Sequence, residues 1–240
     1  MKKHVTLFSS ILMMSTTLLG AGGVFADVSQ PSNPTPNEVR TPITADLRIN
    51  QTPEKPEPPT GPDQGGTDQG TEINGLFGIA YTPGNLSGQG ELQEQGETRI
   101  SLSNNTASNT DNKHNIGVQD KTRAKDRNWS LTAKLEWTND TKGYLTGATI
   151  QATGGNVQIN DSKGNLSPVI GGEVTIGDDA ANPIISNVPL KLMGANKEKT
   201  VNGVYNYQFK APELVIPNSQ SVAEGSYEGN IIWNLSNVVE

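Results

Sequence analysis

Nine residues from Trp129 to Trp137 alternate strictly. Trp129, Leu131, Ala133, Leu135 and Trp137 are apolar, and Ser130, Thr132, Lys134 and Glu136 between them are polar. Successive side chains of a β-strand point to opposite faces, so this run fits a strand with one face in a core and the other in water. The pattern recurs. Tyr205, Tyr207 and Phe209 alternate with Asn206, Gln208 and Lys210, and Tyr227, Gly229, Ile231, Trp233 and Leu235 repeat it near the C-terminus. Shorter runs predict strands over 99–103, 148–153, 157–159, 173–176 and 188–192. Asn74-Gly75, Lys163-Gly164-Asn165, Gly171-Gly172, Asn182-Pro183 and Asn202-Gly203 supply turns between them. No stretch carries helical periodicity with caps. The expectation is an all-β, antiparallel sandwich or barrel-like domain over residues 73–240.

The N-terminal region reads differently. Lys2 and Lys3 precede a mostly apolar run, Val5 to Leu19, and small residues follow up to Ala26. These are the parts of a secretory signal, predicted over residues 1–26 with cleavage after Ala26. The run is shorter than the roughly 20 apolar residues needed to span a bilayer, so no membrane insertion of the mature chain is expected. In residues 27–72, Ile43, Ala45, Leu47 and Ile49 alternate with polar residues and predict a strand at 43–49. Nine of the 15 prolines lie between Pro31 and Pro62, and 63–71 is Gly-rich. This Pro-rich segment is expected to be a long loop of the folded domain, or else a linker within a wholly disordered stretch.

Composition removes several function classes. The chain has no cysteine, hence no disulfide framework, no Cys-attached lipid and no Cys-based metal site. Lys and Arg total 18 against 25 Asp and Glu, and cleavage after Ala26 would take Lys2 and Lys3 as well. An acidic chain without a basic patch is not expected to bind nucleic acid or anionic lipid. Catalysis is not expected either. His114, the mature chain's one histidine, sits in a polar run, 103–115, that reads as a loop, and no nucleophile elbow is present. Glu94, Asp120 and Glu136 are carboxylates without a recognisable catalytic context. Two acidic turns, 160–165 and 177–179, could offer oxygen ligands to calcium, but neither has EF-hand spacing, and Asp and Asn are common in turns for backbone reasons. No cofactor is expected.

Two of the alternating runs share a W-x-L core, Trp129-Ser130-Leu131 and Trp233-Asn234-Leu235, the second close to the C-terminus. A single such tripeptide is a weak motif. Two copies on well-patterned strands, behind a secretory signal and a Pro/Gly-rich stretch, resemble the WxL domain of Gram-positive surface proteins. Further points of resemblance are the segment 75–81, the Asp120 and Arg123 lead-in to the first motif, the segment 144–150 after it, and Tyr227 six positions before Trp233. The lead-in departs from the family's pattern in having Asn128, not glycine, directly before Trp129. The resemblance spans essentially the whole mature chain.

It implies a secreted protein held non-covalently to the peptidoglycan-containing wall, with a structural or adhesive role, in company with other bacterial surface proteins. The absence of an LPxTG-type signal after Leu235 and of any cysteine agrees with attachment by binding. The alternatives are a secreted carbohydrate-binding module for external polysaccharide and a module that binds another surface protein. Trp129, Leu131, Trp233, Leu235 and Tyr227 are the residues to which the resemblance attaches motif or wall-binding roles. Each Trp shares a strand face with its Leu, so the pairs form either an exposed platform for glycan rings or a core cluster. The alternation favours the core, because Leu131 and Leu235 gain little from exposure.

Overall fold

The computed structural model describes residues 34–60, 68–104 and 109–237; the predicted signal lies outside them. The chain divides into two units, Met1–Leu47 and Arg48–Glu240. In the first, the described residues 34–47 form no strand. The strand expected at 43–49 is therefore absent. Ile43 and Leu47 are each 93% exposed, so no buried face rewards the extended alternation.

The second unit is all-β, with one 3₁₀ turn at Ser219–Ser221 as the helical element among the described residues. The strands among the described residues are, in chain order, β1 (Gln69–Gly70), β2 (Phe77–Thr82), β3 (Thr98–Ser101), β4 (Lys113–Asp120), β5 (Trp129–Trp137), β6 (Thr149–Asn160), β7 (Leu166–Pro168), β8 (Val174–Ile176), β9 (Ile184–Ile185), β10 (Leu190–Ala195), β11 (Gly203–Ile216) and β12 (Gly229–Asn237). The larger sheet is ordered β1-β2-β4-β11-β6-β7, with β3 on β11 and β9 on β6; the smaller is β12-β5-β10-β8. All pairings between these strands are antiparallel.

The inner faces of the two sheets share one core. β11 contributes Tyr205, Tyr207 and Phe209, β4 Ile116 and Val118, β5 Trp129, Leu131, Ala133 and Leu135, and β10 Leu192 and Met193. Fourteen residues is long for a strand, and β11 manages it by bending. Ala211 has φ +48°, the register shifts between Lys210 and Glu213, and Pro212, which has no N–H, falls in the bulge. Beyond the bend, β11 pairs with β3 on one side and with the start of β6 on the other.

The outer face of the larger sheet is polar and yet partly buried. Asn115, Gly117 and Gln119 of β4 and Asn206 and Gln208 of β11 lie there. Tyr81 OH donates to Asn206 Oδ1 (3.0 Å) and accepts from Asn160 Nδ2 (3.1 Å). Asn115 Oδ1 accepts from Asn206 Nδ2 (2.9 Å) and Gln208 Nε2 (3.1 Å), and Asn115 in turn donates through N and Nδ2 to the Asp68 carboxyl. Gly117 makes room for the Tyr81 ring, since a Cβ there would lie 2.3 Å from it. Part of the Pro-rich segment is laid on this region. Pro56 and Pro59 are buried, Glu57 N–H donates to Ser162 O (3.0 Å), and Asn160 Nδ2 donates to Glu57 O (2.9 Å).

Candidate functional site

The two W-x-L strands are neighbours. β12 pairs with β5 along its whole length, with Leu235 opposite Leu131, Trp233 opposite Ala133 and Asn237 opposite Trp129. Their environments differ sharply. Trp129 and Leu131 are 0% exposed. The Trp129 ring packs against Phe77 and Tyr205, with centroids 6.3 and 6.4 Å away. Its indole Nε1 donates to Asp120 Oδ2 at 3.0 Å, while Asp120 Oδ1 accepts from Thr122 N (3.0 Å) and Thr122 Oγ1 (2.5 Å). The polar handle of the buried Trp is thereby satisfied within the fold. Arg127 closes the same corner: its guanidinium lies 4.5 Å over the Phe77 ring, and its Nη1 donates to Asn237 Oδ1 at 3.0 Å. Asp120 of the lead-in thus holds the first Trp, together with Arg127 rather than Arg123.

Trp233 and Leu235 are only half-buried, packed on the core from the outermost strand of the smaller sheet. The Trp233 ring meets Phe209 at 6.3 Å. Its other side opens on a groove of about 700 Å³ between the two sheets. Trp233, Trp137, Tyr227, Ile231 and Leu86 give the groove an apolar and aromatic lining; Gln69, Asn85, Ser87, Glu228 and Asn230 give it polar groups. Tyr227 stands edge-on to Tyr144 (6.5 Å, 88°) and its OH donates to Ala223 O at 2.7 Å. This fixes the ring while leaving it half-buried.

A family model described as WxL domain surface cell wall-binding matches residues 30–238. The chain belongs to the WxL family. Comparisons with curated proteins and with solved structures gave no match. Family membership makes the chain a surface domain that binds the cell wall, and none of the described helices is long and apolar enough to cross a membrane.

Of the residues with which the sequence associates the function of this WxL domain, Trp129 and Leu131 present no surface to a ligand. Tyr227 and Trp233 line the groove together, and Leu235 lies beyond Trp233 on the same strand face. His114, expected in a loop, lies on β4 with 0% exposure. It packs on Phe209 with ring centroids 5.5 Å apart and bonds Asn112 Oδ1 through Nε2 at 2.9 Å. Burial lowers its pKa to about 4, so the ring stays neutral and structural. The carboxylates are dispersed in role: Asp120 serves Trp129, Glu136 pairs with Lys134 on the solvent side, and Glu94 is exposed. In the acidic turn 160–165, Asp161 accepts from Lys163 N, Asn165 N and Asn165 Nδ2, which is backbone work typical of Asp in turns. Sequence reasoning missed Asp68. Burial, opposed by the two Asn115 hydrogen bonds, raises its pKa to about 7. Its signal was present in β4, where Asn115, Gly117 and Gln119 alternate with His114, Ile116 and Val118.

Proposed function

We propose that this WxL chain is secreted and retained non-covalently on the peptidoglycan-containing wall, with glycan rings seated in the groove at Tyr227 and Trp233. The observation that carries the reading is the groove itself. Its volume falls in the range of ordinary ligand sites, and it joins fixed aromatic rings to amide, hydroxyl and carboxyl groups, the mixture that suits a sugar with one apolar face and a polar rim. The net charge of −7 argues against adhesion to the wall's anionic polymers by bulk electrostatics. The role is structural or adhesive, in a surface complex.

The test is sedimentation of the mature protein with isolated walls, before and after digestion with a muralytic enzyme. Retention on intact walls, its loss after digestion and its persistence in high salt are expected, because screening weakens charge contacts and not ring contacts. Tyr227→Ala should release the protein while its melting temperature changes little. Retention of this variant at the wild-type level would remove the groove from the mechanism. A chain that prefers plant or host polysaccharide to walls would be an external carbohydrate-binding module instead.

A further inference from the structure

The described edges of the two sheets are unequal. β1 has two residues, β7 three ending in Pro168, and β8 three. Short strands and proline are common means of keeping a sheet edge from accepting another strand. β12 has neither protection. It is nine residues long, pairs among the described residues with β5 alone, and carries no charge and no proline from Gly229 to Asn237.

The register tells which of its backbone groups are free. Thr138 N–H donates to Glu228 O at 2.8 Å, so Glu228 and every second residue after it face β5. Gly229, Ile231, Trp233, Leu235 and Asn237 therefore turn their N–H and C=O groups to the outer edge. The side chains of Ile231, Trp233 and Leu235 are at the same time only half-covered. A further strand at this edge would satisfy the backbone and complete their cover.

The chain carries a segment with the matching pattern. Ile43, Ala45, Leu47 and Ile49 alternate with Thr44, Asp46 and Arg48, and in the single chain this segment forms no strand. Ile43 and Leu47 are almost fully exposed, as strand-patterned residues without a partner would be. Among the described residues, then, one strand-patterned segment pairs with no strand and one long edge is left open.

We propose that residues 43–49 of one copy add as a strand to the free edge of β12 in a second copy, placing Ile43, Ala45, Leu47 and Ile49 beside Ile231, Trp233 and Leu235. Main-chain hydrogen bonds give such an addition its affinity and alternate side chains its register. Donor and acceptor are different surfaces, so the contact is heterologous and propagates from copy to copy. It does not depend on wall binding and is tested in solution.

The absence of cysteine allows a clean test. Mature chains with Asp46→Cys or Thr44→Cys are mixed with chains carrying Asn234→Cys, all exposed positions, under mild oxidation. In parallel, sedimentation velocity over a concentration series compares the wild type with Ile43→Asp/Leu47→Asp. Disulfide-linked heterodimers, and concentration-dependent association that the double substitution abolishes without changing the melting temperature, are the expected results. A wild type that stays monomeric overturns the proposal, as do cysteine-bearing chains that form no linked heterodimer and association that the double substitution leaves intact. A chain bearing both cysteines that closes only on itself at every dilution overturns the second copy in favour of a fold-back strand.

Discussion

Trp129→Phe isolates what the first W-x-L motif does. The substitution keeps an aromatic ring at a site with no exposure but removes the indole N–H that donates to Asp120 Oδ2 at 3.0 Å. Leaving a buried acceptor without its partner costs about 1–3 kcal/mol. The smaller ring also withdraws contacts from Phe77 and Tyr205, for roughly 1–2 kcal/mol more by comparison with other large-to-small core substitutions. The sum is about 2–5 kcal/mol. At roughly 2–4 °C per kcal/mol for a domain of this size, the melting temperature should fall by about 4–20 °C. Calorimetry or circular dichroism reads the shift, and wall sedimentation is measured well below the transition. Asp120→Ala provides the other leg of a double-mutant cycle, in which the two losses should be less than additive. A variant that melts with the wild type, or that loses wall retention without losing stability, would refute the core assignment of Trp129.

Trp233→Ala should destabilise less than Trp129→Ala, about 1–3 against 3–5 kcal/mol, because Trp233 is only half-buried, and should weaken wall retention as measured by sedimentation. Gly155→Ala should unfold the domain or lower its melting temperature sharply: a Cβ there would lie 1.8 Å from Ala180 O, the carbonyl that already accepts from Tyr207 OH. The pH dependence of stability should carry two opposed slopes. His114, depressed from 6.5 to about 4, contributes stability that is present above pH 6.5 and lost as pH falls toward 4, about 3 kcal/mol in all. Asp68, raised from 3.8 to about 7, contributes stability that is present below pH 3.8 and lost as pH rises toward 7. The two offset each other in the wild type. In His114→Gln the Asp68 slope stands alone, so the melting temperature should fall as pH rises from 4 to 7; a flat profile in that variant would contradict the assignment.

Strands with one apolar and one polar face were the legible part of this chain. β5 is found at its predicted residues, and β11 and β12 around theirs, because period two survives wherever one face meets the core and the other meets water. β4 escaped notice because its outer face is also buried. Asn115 there reads as a loop residue, but it is held in a hydrogen-bonded layer that only the folded sheet, Tyr81 and Asp68 bring together. The runs 148–153 and 157–159 fuse into one strand, β6, across Gly154, which has φ +65°, and Gly155, where the carbonyl of Ala180 approaches too closely for a side chain. The segment 43–49 errs the other way: its alternation is genuine, but a pattern states what a strand would bury and not whether a partner is at hand. The groove was legible only as the pair Tyr227 and Trp233. Leu86 and Asn85, which complete it, come from a polar stretch with no periodicity.

The two W-x-L copies show why a tripeptide does not define a role. β5 lies between β12 and β10, so a large residue on its inner face is enclosed on both flanks by side chains of neighbouring strands. Trp129 accordingly reaches zero exposure, and the fold supplies Asp120 to satisfy its N–H. Among the described residues, β12 has a neighbour on one flank only. The same residue on the same face, Trp233, is covered by Phe209 on one side and left open toward the groove on the other. Place in the sheet, rather than sequence, thus divides the pair into a residue that closes the core and one that ends it at a surface. The proposed roles of the second strand, as a groove wall and a docking edge, fit its lack of charged or proline guards. A strand that finishes a core yet meets a ligand or another chain must keep its apolar face half-uncovered, and guards that repel every newcomer would repel that partner too.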